Sequence, residues 1–181
     1  YNDNLSATSA ASANYNISYV NGSLVIGKAN LTITGATTNV TYNASAQTNS
    51  GATVSGRQGS DVFTVSGYAT GTNAATYNDV LTTSSSAASN YNITYVNGSL
   101  VVAPKTLTIT NPTVSNKVYD SGTTATVSST GTLSGFIGTQ TVTVGSSSAT
   151  FVGVGNVGTG ISVTVSYTLA NGANGGLASN Y

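Results

Sequence analysis

The sequence has 181 residues, of which 39% are hydrophobic and only 4% are charged, with four basic and four acidic side chains. This balance excludes a strongly charged surface that would attract nucleic acid or an anionic membrane. Cys, His, Met and Trp are absent, and without Cys we expect no disulfides. The few Asp side chains are isolated, so we also expect no metal site, and we expect no cofactor. No apolar run approaches the roughly 18 residues of a membrane span, and we expect no membrane insertion of this chain.

One stretch occurs twice, at residues 14–26 and 90–102. Extending the alignment over residues 1–34 and 77–110 gives a period of roughly 76 residues with about 21 identities. Apolar side chains alternate in each copy around a central Asn-Gly, which is Asn97-Gly98 in the second copy. Asn-Gly is the strongest two-residue turn signal, so each copy is predicted to form a β-hairpin.

Taken in order, residues 1–27 are predicted to be the C-terminal hairpin portion of a preceding repeat module. Residues 28–103 are then the first complete β-module. Turn residues such as Asn49-Ser-Gly51 separate its short apolar runs at the spacing of an all-β sandwich or barrel. Its predicted strands are Leu31–Thr34, Val40–Asn43, Ala52–Ser55, Val62–Tyr68, Tyr77–Thr82 and the hairpin Tyr91–Val102.

Residues 104–181 are predicted to be a second β-module that lacks its closing hairpin. It begins at Pro104-Lys105, and its final Asn180-Tyr181 matches the start of the repeated stretch at Asn90-Tyr91. A preceding hairpin and a missing one suggest two hypotheses, namely arbitrary cutting of a longer array or strand donation between chains. The predicted strands are Lys117–Tyr119, Thr124–Ser128, Gln140–Val144, Ala149–Val152 and Ile161–Leu169.

The predicted fold class is all-β, with tandem small immunoglobulin-like β-sandwich modules in an elongated array. Tyr15, Tyr91 and Tyr181 occupy the position of the tyrosine corner of such sandwiches. Its acidic position, however, holds Ala11, Ala87 and Leu177. The alternative is a β-grasp-like module with one short helical turn.

Several motifs resemble the MBG and YDG repeat domains of bacterial filamentous haemagglutinin-like adhesins. They are Asn90-Tyr-Asn-Ile-Thr-Tyr-Val-Asn-Gly-Ser-Leu-Val-Val102, Lys105-Thr-Leu-Thr-Ile-Thr110 and Val118-Tyr-Asp-Ser-Gly-Thr-Thr-Ala-Thr-Val127. In the last motif, Tyr119, Asp120 and Gly122 match the Tyr-Asp-Gly signature, with Ser121 inserted. The resemblance implies an MBG-like module at 28–103, a YDG-like module at 104–181, and a secreted protein of the bacterial cell surface.

Catalytic chemistry has little support, because Asp is the only common general base and Asp3, Asp61, Asp79 and Asp120 are scattered. We therefore expect no enzyme activity. Asp3 and Asp79 occupy the same repeat position, which favours a structural turn role. Two modifications remain as hypotheses. An intramolecular isopeptide bond is considered at Lys117, and N-glycosylation at Asn16, Asn39 and Asn92, which each begin an Asn-x-Ser/Thr triplet.

The expected function is that of a stalk or repeat segment of an extracellular adhesin or filament, which gives reach for attachment to cells or surfaces. Its expected partners are neighbouring modules of the same protein and identical chains placed laterally or head to tail. One alternative is an adhesive module that recognises glycan or matrix. Another is a filament subunit that is joined by donor-strand exchange.

Overall fold

Strands form nearly all the regular structure in the residues that the computed structural model describes, which are 2–8, 14–153 and 155–181. The helical structure within these ranges includes single 3-10 turns at Ala88–Asn90 and Ala178–Asn180. No helix among the described residues has the length and apolar character needed to span a membrane. Tyr1 and Ala11, which enter the repeat alignment and the corner comparison, lie outside the described residues.

The central segment, residues 28–103, is built from short strands rich in Thr, Val and Ile, residues that favour extended backbone. In β1, Leu31 and Ile33 alternate with threonines, and their side chains are only 1% and 0% exposed. The bounds are β1 Ala29–Gly35, β2 Thr37–Thr41, β3 Gln47–Thr48, β4 Ala52–Ser55, β5 Thr64–Ser66, β6 Thr70–Gly71, β7 Ala75–Asn78, β8 Thr82–Ser84, β9 Tyr91–Val96 and β10 Ser99–Ala103.

Two three-stranded sheets organise this segment. In the first, β1 lies between antiparallel β4 and parallel β9. In the second, β10 lies between parallel β2 and antiparallel β7. The pairs β3–β6 and β5–β8 complete the segment. Consecutive strands therefore pass directly from the first sheet to the second in two places, between β1 and β2 and between β9 and β10.

The predicted hairpin at Asn97-Gly98 is wrong. β9 runs along β1 and β10 runs along β2, so the two halves of the repeated stretch pair with different neighbours and not with each other. Neither residue has the positive φ that a type I′ turn requires. The parallel pairing extends over six residue pairs of β9 and five of β10, and it buries Tyr91, Leu100 and Val102. In residues 14–26, the one β-bridge described joins Ser23 to Asn2, so the same prediction is not supported there.

The C-terminal segment, residues 104–181, contains antiparallel pairs throughout. A long hairpin of β16 and β17 has β13 on the other side of β16, and two smaller pairs are β11–β15 and β12–β14. The bounds are β11 Thr108–Thr110, β12 Thr113–Val114, β13 Thr124–Ala125, β14 Val127–Ser129, β15 Thr132–Ser134, β16 Val142–Phe151 and β17 Val163–Asn171.

Three parts of the strand prediction in this segment are wrong. The strand predicted over 124–128 is two strands, β13 and β14, which pair with β16 and β12. Residues 117–119 form no strand. The Lys117 ammonium donates instead to the carbonyl oxygens of Gly122 and Thr124. The two strands predicted within 140–152 are one strand, β16. Pairing with β17 continues through the glycine and serine run, with a register shift between Val144 and Ser146.

The all-β fold class is confirmed, with several small sheets instead of one large one. Among the described residues, no strand ladder joins the central segment to the C-terminal segment. The central segment has two buried clusters, and the second of them also receives Ile137 and Tyr181 from the C-terminal segment. The first cluster is Leu31, Ile33, Phe63, Leu81 and Tyr91, and the second is Tyr42, Ala69, Leu100 and Val102.

Candidate functional site

The contact between the central and C-terminal segments, which we term the joint, is a cluster of polar and aromatic side chains. It consists of Tyr42, Asn73 and Ala74 from the central segment and Gln140, Asn180 and Tyr181 from the C-terminal segment.

Gln140 connects two tyrosines in the joint. The Tyr181 hydroxyl donates to Gln140 Oε1 at 2.6 Å, and Gln140 Nε2 donates to the Tyr42 hydroxyl at 2.9 Å. The rings of Tyr42 and Tyr181 meet edge to face with centroids 5.6 Å apart, a geometry that adds to the stabilisation from burial.

Asn180 fixes the other side of the joint and is fully buried. Its side chain accepts a hydrogen bond from the Ala74 amide at 2.7 Å and donates to Asn73 Oδ1 at 3.0 Å. Its carbonyl oxygen accepts from the Lys105 amide at 2.8 Å. Because directional bonds and an aromatic contact act together, the joint holds the two segments in one orientation.

We expect Gln140→Ala to lower the free energy of unfolding by about 1–2 kcal/mol, because both tyrosine hydroxyls lose a partner. In a double-mutant cycle, Gln140→Ala and Tyr42→Phe should show a coupling energy of about 1 kcal/mol. Urea unfolding measures each variant. Ser66→Ala is the control, because the Ser66 hydroxyl contacts Thr82 and neither residue belongs to the joint. Its effect on the free energy of unfolding should add to that of Gln140→Ala. If Gln140→Ala were additive with Tyr42→Phe as well as with Ser66→Ala, the hydrogen bonds of the joint would not contribute to stability.

A second polar cluster, which we term the hub, lies where the chain passes between the two sheets of the central segment. Asn49 and Asp79 are each 1% exposed. Asn49 Nδ2 donates to both Asp79 carboxylate oxygens, at 3.0 and 2.8 Å, and to the Ala36 carbonyl at 2.8 Å. The Ala69 amide donates to Asp79 Oδ1 at 2.7 Å. Each of these buried polar groups therefore has a hydrogen-bond partner on another strand or loop. The hub thereby fixes the place where the chain passes between the two sheets.

Asn97 and Gly98 belong to this crossing. The Asn97 side chain accepts from the Leu81 amide at 3.1 Å, and the Gly98 carbonyl accepts from the Asp79 amide at 3.0 Å. A Cβ on Gly98 would overlap the Ala36 carbonyl oxygen. Glycine is therefore required here for close approach of two backbones, and not for the conformational freedom of a turn.

Tyr91 does not form the predicted tyrosine corner. Its hydroxyl donates to Asp61 Oδ2 at 2.6 Å and accepts from the Gln58 amide at 2.9 Å, whereas the corner bonds to backbone only a few residues upstream. Tyr181 makes the corresponding contacts with Gln140 and the Ile137 amide. The hydroxyl of the repeated tyrosine, Tyr91 at the start of β9 or Tyr181, thus bonds to a loop near the preceding strands.

The hydrogen bond to Asp61, followed by burial, raises the pKa of Tyr91 above its ordinary value of 10.0. The folded state therefore holds the phenolic proton more tightly than the unfolded state does. This contribution to stability is complete below the ordinary pKa and is lost as pH rises through the raised pKa.

When the pH is raised from neutral to about 11, we expect the free energy of unfolding to fall less in Tyr91→Phe than in the unsubstituted chain. Urea unfolding midpoints across that range measure the difference. Tyr15→Phe, in an exposed copy of the same position, should behave like the unsubstituted chain. An identical alkaline loss in all three proteins would show that the Tyr91–Asp61 bond does not contribute.

The Tyr119-Asp120-Ser121-Gly122 stretch is an exposed turn. Asp120 Oδ1 accepts from the Gly122 amide at 2.9 Å and lies 2.6 Å from Lys117 Nζ. The contact with Lys117 has the largest effect, and together with the bond from the Gly122 amide it lowers the pKa of Asp120. The Lys117 ammonium also lies 5.3 Å from the centre of the Phe151 ring. No Asn side chain is among the contacts described for Lys117, and its isopeptide bond stays a prediction that intact mass would test.

The other predicted site residues lie apart from the joint and the hub. Tyr15, Asn16, Asn39 and Asn92 are exposed, and glycosylation of these asparagines stays a prediction. In the part of the chain that the structure describes, no group of three or more His, Cys, Asp or Glu side chains is found together.

Sequence reasoning missed the roles of Asn49, Gln140 and Asn180. The sequence predicts only a turn at Asn49, and it predicts a turn role for Asp79, which lies in the hub. The signal that could have identified Asn180 is its place in the repeated Asn-Tyr pair. Gln140 occupies the position of Asp61 relative to the repeated tyrosine, but only the structure reveals that equivalence.

Comparison with curated proteins and with solved structures gives no significant match to this chain. A family match is found for the C-terminal part. Residues 103–181 match the YDG domain, and the resemblance to YDG-type domains is therefore confirmed over the C-terminal segment.

Proposed function

We propose that this chain is a stalk segment of a secreted bacterial surface adhesin or extracellular filament, in which β-modules follow one another and provide reach. The central and C-terminal segments would be two such modules. The joint carries this proposal, since its Asn180-Tyr181 pair recurs at Asn14-Tyr15 and Asn90-Tyr91. The same kind of contact could therefore be repeated along an array.

The distribution of burial also supports a mechanical function. The first buried cluster and the hub lie wholly within the central segment, so that segment has a core of its own. The second cluster lies at the joint, where Ile137 and Tyr181 pack against it. Hydroxyl and amide side chains occupy most of the outward positions of the strands in the central segment, and Tyr95 and Val96 of β9 are exceptions. In such an array, stability is close to the sum of module stabilities and joint energies. A neutral polar surface keeps a long stalk soluble without strong attraction to other molecules.

Small-angle X-ray scattering of the whole chain tests the proposal. A compact chain of this length has a radius of gyration of about 16 Å, and we expect a clearly larger value with a rod-like distance distribution. A value near 16 Å with a spherical distribution would contradict serial modules. Glycan-array binding that Tyr119→Ala abolishes would favour the alternative, a module that recognises glycan directly.

A further inference from the structure

The sequence contains four Asn-Gly pairs, in which asparagine loses its side-chain amide most readily. The backbone N of the glycine attacks the asparagine Cγ, and the missing glycine Cβ leaves the approach open. The pairs are Asn21-Gly22, Asn97-Gly98, Asn171-Gly172 and Asn174-Gly175. Because the attack needs an available N–H and a backbone that can turn, the fold decides which of the pairs in the central and C-terminal segments react.

The Asn97-Gly98 pair is held at the crossing between the two sheets. Asn97 Oδ1 accepts a hydrogen bond from the Leu81 amide at 3.1 Å. Gly98 lies so close to the Ala36 carbonyl that even a Cβ would overlap it. Turning the Gly98 N toward the Asn97 Cγ would therefore require the crossing itself to open.

The Asn171-Gly172 pair is held by hydrogen bonds of both partners in the attack. Asn171 Oδ1 accepts from the Ala178 amide at 2.8 Å. The Gly172 N–H, which would have to attack, donates to the Gly176 carbonyl at 2.9 Å. The fold thus engages the attacking group and the group that it would attack.

The Asn174-Gly175 pair is open by comparison. Both residues are exposed, and their φ angles are 56° and 80°. Among the described residues, no hydrogen bond from the Gly175 N–H is found. A Cβ on Gly175 would meet no atom within 4 Å. The backbone therefore has room to bring the Gly175 N to the Asn174 Cγ.

The side chain of Asn174 also supports the joint. Asn174 Nδ2 donates to the Thr139 carbonyl at 2.8 Å, and this carbonyl belongs to the peptide bond that joins Thr139 to Gln140. Gln140 is the residue that connects the two tyrosines of the joint. The same turn holds Thr141, whose amide donates to the Ala173 carbonyl at 3.2 Å and whose hydroxyl accepts from the Ala173 amide at 2.9 Å. Asn174 therefore helps to place Gln140.

We propose that Asn174 is a site of spontaneous deamidation and that the product loosens the joint. The Gly175 N forms a bond to Asn174 Cγ, and the side-chain amide leaves as ammonia with the proton that the Gly175 N loses. Water then adds to one carbonyl of the cyclic imide and opens it to aspartate or isoaspartate. The new carboxylate has no N–H to donate, and its charge faces the Thr139 carbonyl oxygen. This modification depends on the joint and goes beyond the stalk function.

Peptide mass mapping of the whole chain, after incubation in mildly alkaline buffer, tests the site. Asn174 should convert several-fold faster than Asn97 and Asn171. In concentrated urea the three sites should convert at similar rates, because each is followed by glycine. Equal rates in the folded chain, or a slower conversion at Asn174, would overturn the proposal.

Asn174→Asp tests the consequence, because it introduces the product carboxylate directly. We expect a lower urea midpoint for this variant, and a shift that is several-fold smaller when Gln140→Ala has already removed the connection between the tyrosines. Asn39→Asp, which adds the same charge at an exposed position of β2, is the control and should leave the midpoint unchanged in both backgrounds. An unchanged midpoint for Asn174→Asp, or an equal shift with and without Gln140→Ala, would overturn the link to the joint.

Discussion

Asp79→Ala is expected to lower the free energy of unfolding by about 3 kcal/mol, because it removes the acceptor of a buried network. The Asn49 amide and the Ala69 backbone N–H would both lose hydrogen bonds of 2.7–3.0 Å in a site closed to water. Urea unfolding, followed by circular dichroism, measures the change. Asp79→Asn, which keeps a carbonyl oxygen for the Ala69 amide, should lose only part of this stability.

The repeat supplies a matched control for this prediction. Asp3 occupies the same position one repeat earlier, bonds to the Gly22 amide at 3.1 Å and is exposed. We expect Asp3→Ala to change the free energy of unfolding by less than about 0.5 kcal/mol. Similar losses for both variants would mean that the repeated Asp acts through its local turn, as its sequence position alone suggests, and that the hub is not a stabilising network.

Gly98→Ala is expected to destabilise the chain by about 3 kcal/mol or more, since the new methyl group would overlap the Ala36 carbonyl oxygen. The obstruction is backbone, and neither sheet can move away without breaking the hub or the pairing of Ser99 with Ala36. Thermal and urea unfolding measure the loss.

Gly22→Ala tests the same substitution one repeat earlier. There the new methyl group would meet the Asp3 carboxylate, which is an exposed and movable side chain. The expected loss is less than about 1 kcal/mol. If Gly98→Ala were equally mild, the close crossing of the two backbones would be ruled out and the Asn-Gly pair would be better explained as a simple turn.

The sequence is sufficient to predict the all-β class, the repeat and the approximate places of β1, β4 and β9. Each rests on local information, because alternating Leu31, Thr32 and Ile33 defines a half-buried strand whatever its partners are. The partners themselves are not local. The ladder of β1 with β9 joins residues about sixty positions apart, and the Asn-Gly signal between β9 and β10 favours a hairpin when only neighbours are considered.

The hub and the joint could not be predicted from the sequence for a related reason. Asn49 lies next to Ser50 and Gly51, where asparagine is usually a turn residue, and its burial depends on Asp79 thirty residues away. Gln140 gains its role only when Tyr42 and Tyr181 are brought together. In a chain rich in Asn, Ser and Thr, nothing in composition distinguishes a buried amide from many exposed ones.

Single-molecule force spectroscopy of the whole chain, held at its two ends, tests most directly whether separate modules are strung in series. The central and C-terminal segments should unfold in two steps, each releasing about 250 Å of chain, and Gln140→Ala should change the force needed without changing these lengths. One cooperative step releasing about 500 Å would contradict serial modules, because it would mean that both segments share a single core.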